Sequence, residues 1–347
     1  MYSENPAVIK VAVTFKHDLL VKDYTAKLVK SLLIVGNPKL EEVFSRGAGQ
    51  LPKPIHITPL YTIALSKDGR ERNEAVYARL VLRGSTAKPP SAIGVRPTKL
   101  EAGREYFFYV GASATLVSSV LLDLSSADRF FFGNELVAID RLQYEVRYVE
   151  VEREARNLRS LLESPGESYI KVVFESPTLL KDPLAVARWR KRKLFVPLPE
   201  AVLATPLLMV LHDKGRLRWS TFLRCARYVK SVLDIPYTAL RTVNIAWYVY
   251  NNKVLPAMIG YAKYFIDREV LRQAQAVLEA RYGLDFLEIL SKTVVLAQVY
   301  GVGDGRAAGF GHTSISVGKA HTGSNRGDFS TDGSPADGGL MAGRFGP

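Results

Sequence analysis

Gly301-Val302-Gly303-Asp304-Gly305-Arg306-Ala307-Ala308-Gly309-Phe310-Gly311-His312 is the stretch on which the second half of the chain turns. A P-loop or dinucleotide-type glycine loop follows a strand and opens a helix, so that backbone N–H groups at the helix N-terminus meet phosphates. The setting here is reversed. Leu287, Leu290, Val294 and Leu296 or Ala297 recur close to helical spacing before the loop, which predicts a helix ending at Gly301 in a left-handed conformation. Gly309 to Val317 alternates as a strand. With no Gly-Lys-Ser/Thr to hold a nucleotide phosphate, nucleotide hydrolysis is disfavoured. The five glycines still permit close approach of another backbone, such as an RNA strand, and a flexible turn is the plain alternative.

Charge favours a polyanionic partner. The 347 residues are 47% hydrophobic, enough for an ample core and about two domains, and carry a formal charge of +13. Residues 171–230 hold 13 Lys or Arg against 4 Asp or Glu. A single cysteine, Cys225, excludes an internal disulfide and a cysteine-based zinc site, and suits a reducing compartment. No apolar run reaches the roughly 18 residues of a membrane span, and the start does not read as a signal peptide, so a cytoplasmic protein is expected.

The two halves open alike. Val8 to Phe15 and Tyr169 to Phe174 are β-rich runs that each contain Ile-Lys-Val. The first half reads as strand 8–15, helix 19–34, strand 55–65, a further strand near 75–83, strand 105–111, helix 112–123 and a hairpin over 129–151. With the extra pieces set aside, that order is the β-α-β-β-α-β of a ferredoxin-like unit. The second half reads as strand 169–175, a basic turn and strand at 188–197, helices 199–211 and 220–233, strands 242–249 and 253–266, helices 267–281 and 284–299, then the glycine loop and its strand. The fold class predicted is α+β, with two tandem ferredoxin-like (RRM-like) domains. Their bounds are 1–151 and 169–318, joined by a charged linker at 152–168 that contains Pro165-Gly166. Residues 319–347 are rich in Gly, Ser, Asp and Thr and carry too few aliphatics to offset the entropy of ordering, so a disordered tail is expected.

Three motifs converge. Phe174-Glu175-Ser176-Pro177-Thr178 opens the second half, the basic run Arg188-Trp189-Arg190-Lys191-Arg192-Lys193 follows, and the glycine loop ends in Gly309-Phe310-Gly311. Together with the paired halves they resemble the repeat-processing endoribonucleases of CRISPR systems, members of the RAMP superfamily, over residues 8–318. The resemblance implies a protein that binds repeat RNA and cleaves precursor crRNA without metal or other cofactor, by attack of a ribose 2′-hydroxyl on the adjacent phosphate. It makes 1–151 the catalytic half and 169–318 the RNA-binding half. A catalytically inert RAMP subunit that coats RNA in a CRISPR effector complex is the first alternative and a basic protein acting on another structured RNA the second, with other effector subunits or a second copy as further partners.

Such a reaction needs a group to take the 2′-OH proton, charge stabilisation at phosphorus and a proton for the leaving oxygen. Many members of the resembled family place a histidine in the loop after the first helix, and the position aligned with it here is Ser45. Members without that histidine have lysines in the corresponding helix and loop, which implies Lys27, Lys30 and Lys53 as the catalytic set. Lys27 and Lys30 lie one turn apart on the predicted first helix, and Lys53 lies in Leu51-Pro52-Lys53-Pro54. Clustered lysines have depressed pKa values and offset anionic charge; solvated lysines on an amphipathic face are the plain alternative.

RNA contacts are expected at Arg188, Arg190, Lys191, Arg192 and Lys193, whose charges flank a turn, and at Gly301, Gly303, Gly305, Arg306, Gly309, Gly311 and His312. His312 directly follows the loop and could donate to a phosphate. His17 follows the first strand; His56 alternates with Ile55 and Ile57 and reads as a strand-face residue; His212 and His321 carry no pattern. No pair has metal-ligand spacing, so no metal is expected.

Overall fold

A computed structural model describes residues 2–35, 37–45, 51–65, 69, 71–80, 95–185, 193–236, 241–251 and 253–319. Among these residues the architecture is α+β, with two sheets of seven strands each and two small two-stranded sheets. Arg188, Arg190, Lys191, Arg192, the expected strand beyond residue 80 and the tail beyond 319 lie outside the described residues.

Alternation builds the first sheet. In Ala7–Phe15, Ala7, Ile9, Val11, Val13 and Phe15 enter one core, while Lys10, Ala12 and Thr14 point to the opposite face. This strand pairs antiparallel with Glu135–Tyr148 on one side and Tyr106–Ala112 on the other. Tyr106–Ala112 then pairs with both Ile55–Ile57 and Tyr61–Leu65. The four principal strands therefore lie in the spatial order fourth, first, third, second. Helices Ala26–Ile34 and Ala114–Ser126 supply Leu28, Val29, Leu32, Leu33, Val117 and Val120 to the same core.

The second half repeats that order. Thr313–Lys319 pairs with Ser168–Thr178, which pairs with Lys253–Ile266, which pairs with Val243–Tyr250, all antiparallel. Helices Ala204–Asp213, Trp219–Val232, Arg268–Tyr282 and Phe286–Tyr300 pack against this sheet in a second core. Asp267 and Asp285 cap the last two, each accepting from the backbone N–H three residues on at 3.0 Å. The halves are not strictly separate, because Arg79–Leu80 of the first pairs with Tyr248 of the second and extends its sheet.

Four local expectations need correction. Residues 152–163 of the expected linker belong to the helix Val151–Glu163, because Val151, Ala155, Leu158 and Leu162 recur at spacings of four, three and four and bury in the second core. The first helix begins at Ala26 rather than 19, since Leu19–Val21 pairs with Thr98–Leu100 as a short strand. Strand 55–65 is two strands separated at Thr58-Pro59-Leu60, where Pro59 has no N–H for a ladder. Gly301 ends its helix with φ 69° but ψ −179°, so the chain leaves extended, and Val302 N–H donates to the Gly311 carbonyl at 2.7 Å.

Candidate functional site

The 51–54 loop is held at both ends. Tyr2 Oη donates to the Pro52 carbonyl at 2.5 Å, and Ser113 N–H donates to the Pro54 carbonyl at 3.1 Å. Between them, Lys53 Nζ donates to the Phe44 carbonyl at 2.6 Å. Lys30, half-buried on helix Ala26–Ile34, holds its Nζ 5.2 Å from the centre of the Phe44 ring. Burial pushes its pKa down, with Glu41 opposing. Lys30 and Lys53 thus gather around one residue, beside Ser45, whose hydroxyl donates to the Glu42 carbonyl at 3.0 Å. Lys27 is placed elsewhere: it pairs with Asp23 one turn earlier and lies 5.2 Å from the Tyr250 ring centre.

The glycine loop is an interlock. A Cβ on Gly303 would stand 2.3 Å from the Leu179 carbonyl oxygen, one on Gly311 1.9 Å from that of Val302, and one on Gly309 2.1 Å from Ala26 Cβ. At these three positions the closely approaching atoms belong to this chain. Gly311 N–H donates to the Pro177 carbonyl at 3.0 Å, Asp304 N–H to the Leu179 carbonyl at 2.8 Å, and His312 N–H to Ser176 Oγ at 2.9 Å. Ser176-Pro177-Thr178 and the glycine loop, two separate signals in the sequence, are partners in space. Gly305 remains half-buried, with Asp304 exposed beside it and ion-paired to Lys181.

Arg306 is 6% exposed. Its guanidinium donates from Nη1 to the Tyr300 carbonyl at 2.8 Å and from Nη2 to the Lys53 carbonyl at 3.4 Å. Burial pulls its pKa down to about 10. Its own carbonyl lies 3.1 Å from Nδ1 of His56, which is 1% exposed. Nε2 of His56 lies 3.3 Å from Nδ1 of His312. The His312 ring stacks on Tyr109, with centroids 5.2 Å apart and planes 21° apart. Burial lowers the pKa of both histidines, that of His312 to about 4, and neighbouring His312 and Arg306 lower His56 further. The sequence supplied His312 as a contact residue but not its pairing with His56, which lies 256 residues away.

Lys193 belongs to a two-residue strand, Lys193–Leu194, opposite Leu180–Lys181, with Lys193 directly across from Lys181. His212 lies 3.5 Å from Asp213 and edge-on to Tyr2. Among the described residues no group of three or more His, Cys, Asp or Glu is placed to hold a metal ion, and no helix is long and apolar enough to cross a membrane.

The paired α+β halves have a counterpart among solved structures. A Cas6 product complex superposes over 90% of this chain and 99% of its own with a TM-score of 0.55 at 15% identity. Thermus thermophilus Cas6 covers 90% of this chain and 98% of its own at a TM-score of 0.47 and 16% identity. No family model and no curated protein matches the sequence.

Proposed function

We propose that this chain is a Cas6-like endoribonuclease, built from two ferredoxin-like units at 1–151 and 169–318, that binds CRISPR repeat RNA and cuts precursor crRNA without a metal. The observation that carries the proposal is the likeness to the Cas6 product complex, which runs through both halves and nearly the whole of that chain. The gathering of Lys30 and Lys53 at Phe44 supplies the chemistry. Burial of Lys30 favours its neutral amine, which suits proton transfer with the ribose 2′-hydroxyl, and an ammonium on Lys53 stabilises charge on the phosphorus oxygens. The nucleophile is the RNA's own hydroxyl, so the 2′-oxygen–phosphorus bond forms as the 5′-oxygen–phosphorus bond breaks, leaving a 2′,3′-cyclic phosphate and a 5′-hydroxyl.

The inert RNA-binding subunit is the second reading. What favours it is that Lys53 is engaged by the Phe44 carbonyl and Lys27 by Asp23. Incubation of the pure protein with labelled repeat RNA from the source genome, in EDTA, separates the two. Cleavage ending in a cyclic phosphate, abolished by a single 2′-deoxyribose before the cut, is expected of the enzyme. Tight binding with no cleavage identifies the subunit, and cleavage of the deoxy substrate overturns the mechanism.

A further inference from the structure

His56 and His312 come from different halves and touch at one edge each. The Arg306 carbonyl can accept but not donate, so His56 Nδ1, 3.1 Å away, carries the proton. A neutral imidazole has one N–H, which leaves a lone pair on His56 Nε2. That lone pair faces His312 Nδ1 at 3.3 Å, an attractive contact when the facing nitrogen carries a hydrogen. The His312 proton is then on Nδ1, and its Nε2 bears a lone pair. Nε2 takes no partner among the described residues, on a ring that is half-buried against Tyr109 and, at 6.2 Å, Tyr61.

We propose that this ordered imidazole pair presents His312 Nε2 as a hydrogen-bond acceptor for a neutral donor on bound RNA, a ribose 2′-hydroxyl or a guanine amino group. The proposal rests on the RNA-binding part of the function above. Phosphate oxygens accept but do not donate, so a neutral ring in this tautomer cannot serve the phosphate contact expected from the sequence. The charged and titratable groups around the pair favour that neutral form. Arg306 lies behind His56; Tyr61 and Tyr109 flank His312; and Glu175, which donates its backbone N–H to the His312 carbonyl at 2.9 Å, has its own pKa raised by burial. An acceptor that engages a 2′-hydroxyl distinguishes RNA from DNA at one nucleotide.

Two measurements test this. In protein labelled with 15N-histidine, long-range 1H–15N spectra at neutral pH should show His56 and His312, assigned through His56→Gln and His312→Phe, with protonated Nδ1 and bare Nε2. A protonated Nε2 on His312 overturns the proposal without any RNA present. In binding assays with a labelled single-stranded repeat RNA, His312→Phe keeps a stacking ring but no acceptor, and should weaken affinity about three- to tenfold. Parent and variant should then bind the all-deoxy strand alike if the donor is the 2′-hydroxyl, or the inosine-for-guanosine strand alike if it is the guanine amino group. Equal loss on every strand, or no loss on RNA, overturns the proposal while leaving the functional reading intact; failure of the parent protein to bind RNA sinks that reading itself.

Discussion

Tyr24 and Phe310 stack with ring centroids 4.7 Å apart and planes 3° apart, and Tyr24 Oη donates to the Gly309 carbonyl at 2.8 Å. A residue two positions before the first helix is thereby locked to the glycine loop in the second half of the chain. Phe310 is 2% exposed, and Tyr248 and Tyr250 of the second half also pack on it. Phe310→Ala should cost about 3–5 kcal/mol of unfolding free energy, read from urea denaturation.

Glycine substitutions should sort by what a Cβ meets. Gly103, at φ 72°, has open space around it, so Gly103→Ala carries the left-handed backbone cost alone, about 1–2 kcal/mol. Gly311, at φ 76°, adds a collision with the Val302 carbonyl. Gly311→Ala should lower the denaturation midpoint well beyond Gly103→Ala; equal midpoints would mean that the loop relaxes freely.

For the lysines, Lys30→Ala and Lys53→Ala should each slow single-turnover cleavage roughly 30- to 1000-fold, equivalent to about 2–4 kcal/mol in the barrier. RNA affinity should change far less. Lys27→Ala should have the smallest effect of the three, because its ammonium is paired with Asp23 away from Phe44. Arginine at position 30 or 53 should restore charge but not proton transfer, giving partial rescue.

The basic run 188–193 is tested through salt. Replacing Arg190 and Arg192 together by Ala should reduce the slope of log affinity against log salt by about 0.7–0.9 per lost phosphate contact. An unchanged slope would assign both to a solvated face.

Acid should loosen the protein through the histidine pair. Both rings have folded-state pKa values below the ordinary 6.5, so the unfolded chain takes up protons first as pH falls. The contribution of His312 is fully present above about 6.5 and is lost progressively as pH drops to about 4, its folded value, and that of His56 is lost in the same direction. Chemical denaturation of the parent and of His312→Phe across this window should give curves that converge toward the acid end. Parallel curves would show that the pair is not held neutral.

Much of the framework was legible because alternation and helical spacing are local. Ile9, Val11 and Val13 announce a half-buried strand, and Leu287, Leu290 and Val294 a helix. The helix Val151–Glu163 was hidden by its charge: Glu152, Arg153, Glu154 and Arg156 mask four buried apolar positions. Lys30 and Lys53 could be singled out as residue types, but their meeting at Phe44 depends on how the 51–54 loop returns to the helix. The His56–His312 contact was beyond any periodicity, since it forms only when the two halves dock.

The pairing of Ser168–Thr178 with Thr313–Lys319 sets an order of events during translation. A ribosome adding about 5–20 residues per second reaches the later strand on the order of 10 s after the earlier one. Until then the second sheet lacks an edge strand, and Lys53 lacks the Arg306 contact on its carbonyl. In a nascent chain the 51–54 loop therefore waits for its Arg306 anchor until the glycine loop, some 250 residues later, has been made.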